Sequence, residues 1–272
     1  MGQTGRIISE MRKKAGYTQK TLADALNVTD KAVSKWERGI CLPDVTLLPK
    51  LSLLLDVDID LLVSRDIKDE KWSGLIETGG CDLSQIVYDK PLVYYLLSHY
   101  LLLGITRIYF SVSDENKAFL ENEVFKTLGF DFCFDVPEEV KNVIVINHPW
   151  FLFGSDLTQQ IEGSMLADKS VKLVPFNQKP VMYVLKDYHG KETSSVRKLG
   201  RGMVAVDMSS QSRILDAASF VKIYEENSGL LIASLEEIAY RRGVIDMSQL
   251  EEVCIPSYRE RLKKLLSKPQ VD

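Results

Sequence analysis

Apolar positions over the first 63 residues recur at helical spacing, in short runs separated by clear stops. Ile7, Ile8 and Met11 form one stripe, and Ala15-Gly16 closes it. Thr18 is placed to cap a second helix that turns Leu22, Ala25 and Leu26 inward, and Asn27-Val28 is a tight turn. Thr29 then caps a third helix, TDKAVSKWERG, with Ala32, Val33 and Trp36 on its inner face and Gly39 as its stop. Asp44 and Asp58 are placed to cap a fourth and a fifth helix, the last ending near Val63. Pro49 predicts that the fourth starts late or bends.

The stretch SRDIKDEK, residues 64 to 71, has few apolar groups and many charges, and after it the period changes. Gly74-Leu75-Ile76 predicts a short strand ending at Gly79-Gly80, and PLVYYLLSHYLLLG a helix apolar nearly all round. ITRIYFSV predicts a strand, DENKAFLENEVFKTLG a single helix, and FDFCFDV and KNVIVINH two more strands. Further along come a helix over 156–167, strands at VKLVPF and KPVMYVLK, a loop DYHGKETSSVRKLGRG and a strand at GMVAVDM. Three or four helices fill the last sixty residues, with capping boxes expected at Ser234/Glu237 and Ser257/Glu260. The predicted organisation is an all-α domain (1–66), a linker (67–72) and an α/β layered domain with a helical C-terminus (73–272), whose ligand crevice lies at the strand C-termini.

Composition narrows the class. With 272 residues, 45% hydrophobic and 26% charged, the chain is too mixed for a disordered or fibrous protein. The most apolar stretch, 91–110, is interrupted by His99, Gly104 and Arg107, and MGQTGRIISE has no signal core, so the expectation is a cytoplasmic protein without a membrane span. Cys41, Cys81, Cys133 and Cys254 are scattered, which predicts buried free thiols rather than zinc ligands or disulfides. The net charge of −4 hides an asymmetry. Residues 1–40 carry eight basic against four acidic side chains, whereas the rest carries 26 basic against 34 acidic. Any surface for nucleic acid therefore belongs to the N-terminus.

A helix, a short turn and a second helix inside a basic segment is the helix-turn-helix arrangement, in which the second helix enters the major groove. The run RKKAGYTQKTLADALNVTDKAVSKWERGICLPDVTLLPKLSLLLDVDIDLL resembles the Xre/lambda-repressor type of helix-turn-helix domain, a resemblance covering residues 5 to 63. It implies that Gln19 holds a phosphate and braces the recognition helix, that Asp30, Lys31 and Ser34 face base edges, and that Thr29, Lys35 and Arg38 reach the backbone. The competing reading is a solvated charged face that binds protein.

Two blocks of the second part, VYDKPLVYYLLSHYLLLGITRIYFSVSDENKAFLE and LGRGMVAVDMSSQSRILDAASFVKIYEENSGLLIASLEEIAYRRGVIDMSQLEEV, are similar to the glucose-1-phosphate thymidylyltransferases, which are sugar nucleotidyltransferases. That family works with a glycine-rich loop ending in Gly-Thr-Arg, a nearby lysine and two magnesium-binding aspartates. Here Gly79-Gly80 resembles only the start of the loop, and Asn147-His148-Pro149-Trp150 stands where the first aspartate belongs. Asp207 resembles the second, but one carboxylate is a poor magnesium site, so no metal is expected. His148 is either a substitute ligand or a turn residue, and Lys90 either a remnant of the substrate site or a solvated side chain. The family also has a regulatory nucleotide pocket lined by its C-terminal helices, and the resemblance places Gly154, Ser234, Glu237 and Arg241 there. The alternative for Glu237 and Arg241 is a plain ion pair four residues apart.

Together these features point to a sequence-specific DNA-binding regulator acting on duplex DNA as a homodimer or larger homo-oligomer. Its second domain is catalytically silent and either senses a thymidine diphosphosugar or holds the oligomer. An active thymidylyltransferase with a DNA-binding appendage, and a docking partner of that enzyme, remain open alternatives at this level.

Overall fold

In the computed structural model of the chain, residues 3–55, 57, 72–176, 179–189 and 194–266 are described. The chain divides into two compact units, Met1–Lys71 and Trp72–Asp272. Among the described residues no helix is long and apolar enough to cross a membrane.

Unit 1 is a small helical bundle: α1 (Gln3–Lys14), α2 (Gln19–Leu26), α3 (Asp30–Glu37) and α4 (Leu48–Leu55). Thr18 and Thr21 form a reciprocal capping box at the start of α2, and the Thr29 side chain accepts from the Ala32 N–H at the start of α3. Asn27 takes the left-handed conformation, φ 57°, that ends α2 and turns the chain toward α3. Ile8, Leu22, Leu26, Val33, Trp36, Leu48, Leu51 and Leu55 close the core. Two inward positions differ from the sequence expectation: Ala23 is buried instead of Ala25, and Ala32 only flanks the core. Asp44 caps a 3-10 turn, Val45–Leu47, and α4 starts after it, with Pro49 in the first turn where its missing N–H costs nothing. The expected fifth helix and the 64–71 boundary lie outside the described residues.

Unit 2 holds a seven-stranded sheet in the order β10-β8-β9-β6-β1-β4-β5, built from β1 (Ser73–Glu77), β4 (Arg107–Ser111), β5 (Asp131–Cys133), β6 (Lys141–Ile146), β8 (Val171–Val174), β9 (Met182–Asp187) and β10 (Ser195–Lys198). β6, β1, β4 and β5 run parallel, and β9 is antiparallel to both of its neighbours. The chain leaves β1 toward β4 and β5, then returns to place β6 on the other side of β1. Strand order thus reverses between β1 and β6, and the crevice beyond their C-termini is where an open α/β sheet takes ligands. Two small ladders complete the unit: β2 (Ile86–Val87) with β3 (Lys90–Pro91), and β7 (Trp150–Phe153) with β11 (Val204–Asp207).

The all-round apolar helix is α5 (Leu92–Leu103), closed by Gly104 at φ 76° and buried at every position from Leu92 to Leu101. DENKAFLENEVFKTLG forms two helices instead of one, α6 (Asp114–Leu120) and α7 (Glu123–Thr127). The break comes at Asn122, whose side chain accepts from the Val124 N–H and starts the second helix afresh. Four strands escaped the pattern, β2, β3, β7 and β10. β10 is largely exposed, and its pairing with β8 is parallel and non-local. α8 (Leu157–Met165), α9 (Gln211–Ser228), α10 (Leu235–Arg241), α11 (Met247–Val253) and α12 (Arg259–Leu266) complete the chain order. Ser257 caps nothing and donates to the Asp89 carbonyl at 2.8 Å, whereas Asp246 and Gln249 make a capping box that the pattern had not flagged. All four cysteines are free, but only Cys254 is buried; Cys41 is exposed, and Cys81 and Cys133 are half-buried.

Candidate functional sites

The first site is a face of α3. Asp30, Lys31, Lys35 and Arg38 are exposed and Ser34 is half-buried, while Val33 and Trp36 point into the core. This arises from the helix period, since 30, 34 and 38 and also 31 and 35 are spaced by four. Thr29 stands exposed at the N-cap, where its hydroxyl is committed to the helix. Asp30 accepts from the Lys31 N–H at 2.7 Å, and the Arg38 Nε donates to the Ser34 carbonyl at 3.2 Å. Gln19 does brace this helix: its Nε2 donates to Glu37 at 2.7 Å.

Glu37 and Arg12 form a buried ion pair behind this face that the sequence pattern missed. Arg12 is one of the basic residues of 1–40, but its Nε lies 2.5 Å from Glu37 and another of its nitrogens donates to the Tyr17 carbonyl at 2.6 Å. Burial opposes the charge on Glu37, yet hydrogen bonds from Arg12 and Gln19 outweigh it and hold the carboxyl below its ordinary range. α1, α2 and α3 are thereby tied at one point beneath the exposed face.

The second site is the crevice beyond β1 and β6. Gly79 and Gly80 have φ of 61° and 95°, a left-handed pair that reverses the chain right after β1. The hollow beside Gly80 is lined by Asp82, Ser84, Ser113, Glu115 and Asn116, with two carboxylates and no cation among the described residues. Asn116 pins the loop by donating to the Cys81 carbonyl and accepting from the Leu83 N–H, at 2.8 and 2.9 Å. At the other strand end, His148 Nε2 lies 2.9 Å from Asp207 Oδ1. Burial works against ionisation of Asp207, but hydrogen bonds from Ser209 and His148 prevail and leave its carboxyl below the ordinary range. Burial and the charge of Asp207 push the Cys81 thiol up, away from thiolate character. Among the described residues no three His, Cys, Asp or Glu side chains gather to hold a metal. An imidazole with one carboxylate does not fit magnesium, which takes an oxygen shell.

Lys90 corrects both expectations for it. It is fully buried, with Nζ 2.6 Å from Asp89, 3.0 Å from Glu225 and 4.6 Å from the centre of the Tyr258 ring. Arg261 closes the cluster against Asp89 and Glu225, and Glu225 also accepts the Ile232 N–H at 2.8 Å. Lys90 is neither solvated nor open to a ligand; it belongs to an ionic lock joining the β2–β3 ladder, α9 and α12.

The third site is a cavity of about 370 Å³ between α5, β7, α8 and α10, and it gathers Gly154, Ser234, Glu237 and Arg241. Its walls are apolar, from Leu102, Leu152, Leu157 and Ile238, with Ser98, His99, Thr158 and Arg242 as further polar groups. Glu237 and Arg241 do pair, at 2.7 Å, and both line the cavity. Burial pushes the Glu237 carboxyl up in spite of Arg241. Ser234 caps α10 by accepting from the Glu237 N–H, so its hydroxyl is already engaged. A Cβ at Gly154 would lie 2.8 Å from the methyl at the flexible end of Met203, and Gly154 has no left-handed φ.

Comparison with known proteins divides at the same boundary. The helix-turn-helix family model HTH_3 matches residues 8–62. The HTH-type transcriptional regulator ImmR of Bacillus subtilis is 42% identical over 67 residues, 25% of this chain and 53% of that protein. The P22 c2 repressor, solved with a synthetic operator, is 32% identical, with TM-score 0.23, over 24% of this chain and all of that one. Glucose-1-phosphate thymidylyltransferase of Neisseria meningitidis is 38% identical over 78 residues, 27% of each chain. The chain thus spans about half the length of the matched regulator and about a quarter of the matched enzyme. It carries an HTH_3 (Xre-type) helix-turn-helix domain at its N-terminus, followed by a region that resembles the glucose-1-phosphate thymidylyltransferases.

Proposed function

We propose that the protein is a DNA-binding transcriptional regulator whose second unit has given up nucleotidyl transfer and senses a nucleotide sugar. The observation that carries the first half is the exposed face of α3, with Lys31, Ser34, Lys35 and Arg38 presented on a helix braced from below by Glu37, Gln19 and Arg12. A helix so held can enter a major groove, where Lys31 and Ser34 read base edges and Lys35 and Arg38 meet phosphates. The second half is supported by the cavity that collects Gly154, Glu237 and Arg241. Its volume falls within the usual range for small-molecule pockets.

Transfer itself is disfavoured by the crevice. A triphosphate there would meet Asp82 and Glu115 with no lining cation among the described residues. A homodimer on a two-fold site is the natural form for such a reader. A ligand can alter its operator affinity only by preferring one of two dimer arrangements, with coupling typically of about 1–3 kcal/mol, or roughly 5- to 150-fold.

The test begins with selection of genomic fragments on the intact protein. We expect a two-fold-related site whose affinity falls steeply with salt, a shifted base preference in Lys31→Ala or Ser34→Ala, and uniform weakening in Lys35→Ala. Calorimetry with thymidine diphosphoglucose then addresses the sensor: a saturable signal that Arg241→Ala removes, with operator binding retained, supports it. Salt-independent or absent DNA binding sinks the regulator, and silence of the intact protein toward the nucleotide sugar sinks the sensor.

A further inference from the structure

β10 ends the seven-stranded sheet, where β8 is its neighbour in a parallel pairing. The Ser195 N–H donates to the Ser170 carbonyl at 2.8 Å and the Leu199 N–H to the Val174 carbonyl at 2.9 Å. Residues 195, 197 and 199 thus turn their backbone groups toward β8. Val196 and Lys198, between them, aim theirs away from the sheet and find no backbone partner among the described residues. The strand is held firmly: Arg197 donates to the Gln160 and Gly163 carbonyls of α8 at 3.3 and 3.2 Å. Val196 stands on the opposite face and is 60% exposed, a β-branched residue of the kind that packs on a sheet. Folded proteins ordinarily blunt such an edge with proline, a bulge, a covering element or a charge at its middle, but the middle of this edge is apolar.

We propose that β10 pairs antiparallel with β10 of a second copy about a two-fold axis through Val196, joining the two sheets into one. The pairing gives the dimer of the regulator reading its surface, and rests on that reading only for its use on DNA. Because the Val196 N–H and C=O both point outward, they exchange two hydrogen bonds with Val196 of the second copy, and Lys198 does the same with Ser194. In this register Val196 packs on Val196, Arg197 stands opposite Ser195 and Lys198 opposite Ser194, so no like charges meet. A slip of one residue opposes outward groups with inward ones and forms no ladder. A slip of two sets Arg197 against Arg197 in one direction, and in the other leaves each Val196 against Ser194. Strands this short make a small contact, so association is weak in free solution and is helped on a two-fold operator, where DNA holds both copies close.

The experiment is sedimentation equilibrium of the full chain without DNA, for the native protein, Val196→Pro, Val196→Lys and Val196→Thr. The native chain is expected to pass from monomer to dimer as its concentration rises. Val196→Pro removes an outward N–H that the fold of the edge strand does not use, and Val196→Lys opposes two cations at the axis. Each should raise the dissociation constant about 10-fold or more, whereas Val196→Thr, which keeps the backbone bonds, should stay within about three-fold. Circular dichroism checks the fold of each variant, and should Val196→Pro melt the edge, Val196→Lys and a cross-link decide. The cross-link is made in a Cys41→Ser background, because Cys41 is exposed. A short bismaleimide should join Val196→Cys chains, whose Cα atoms face each other at about 5.5 Å. It should not join Lys198→Cys chains, which this register holds roughly 15 Å apart. A dimer that withstands both Val196→Pro and Val196→Lys overturns this surface and leaves a dimeric regulator held by another. A native chain that stays monomeric, its edge free for a strand of some other protein, overturns the pairing as well, as does equal cross-linking at both positions. Absence of DNA binding overturns the regulator reading and leaves a dimer broken by these substitutions as support for the pairing.

Discussion

A single imidazole shows what burial does to side-chain chemistry. His99 titrates near 6.5 when exposed and at about 4 in the fold, so between those values the unfolded chain binds the extra proton and the folded one refuses it. Stability is therefore fully present above about pH 6.5 and lost as pH falls toward 4, by about 3 kcal/mol in all. The carboxyls of Glu236 and Glu237, which burial pushes up, pull the other way, so the native protein must be compared with a variant. We expect His99→Phe to flatten the acid side of the stability curve relative to the native chain in denaturant melts at pH 4.5, 5.5 and 6.5. Parallel curves would show that the ring is wetter than the packing implies. None of this was legible in the sequence, where His99 only interrupted an apolar run. Lys90 was misread for the same reason, because the groups that enclose it stand 135 and 171 positions away in Glu225 and Arg261.

Elements meet where backbones touch, and Gly5 marks a close approach of this kind in unit 1. A Cβ there would lie 2.4 Å from the Trp36 carbonyl oxygen and 2.7 Å from that of Glu37, both backbone atoms at the end of α3. Alanine is intrinsically the better helix former by about 1 kcal/mol, but here it must push α1 off the recognition helix. Overpacking of this kind costs about 1–3 kcal/mol. We expect Gly5→Ala to lower the melting temperature of the helical unit and to weaken DNA binding, read by circular dichroism and by operator titration. An unchanged melt would mean that α1 and α3 stand further apart. Helix starts were readable from sequence: Thr18, Thr29 and Asp44 each cap the helical turn after them, because the cap interaction spans only two or three residues. Asn122 acts by the same local rule, but the apolar run across it concealed the break between α6 and α7.

Across unit 2 as a body, the crevice lies beyond the C-termini of β1 and β6, where the strand order reverses. Asp207 spends its carboxylate on His148, and the hollow beside Gly80 is acidic. Incubation with deoxythymidine triphosphate, glucose-1-phosphate and magnesium should release no pyrophosphate above background, and Asp207→Ala should leave DNA binding as it was. Turnover that disappears in Asp207→Ala would reverse this reading in favour of the enzyme.

The capped starts of α2 and α3, the all-round apolar run of α5 and the basic bias of residues 1–40 came from the sequence alone, because each depends on residues close together along the chain. The reversal of strand order that makes the crevice, the burial of Lys90 in its ionic lock, the Arg12–Glu37–Gln19 brace and the meeting of His99, Gly154 and Arg241 around one cavity were decided by the tertiary structure. Each joins groups on separate elements, and the desolvation that gives them their chemistry exists only once those elements have packed.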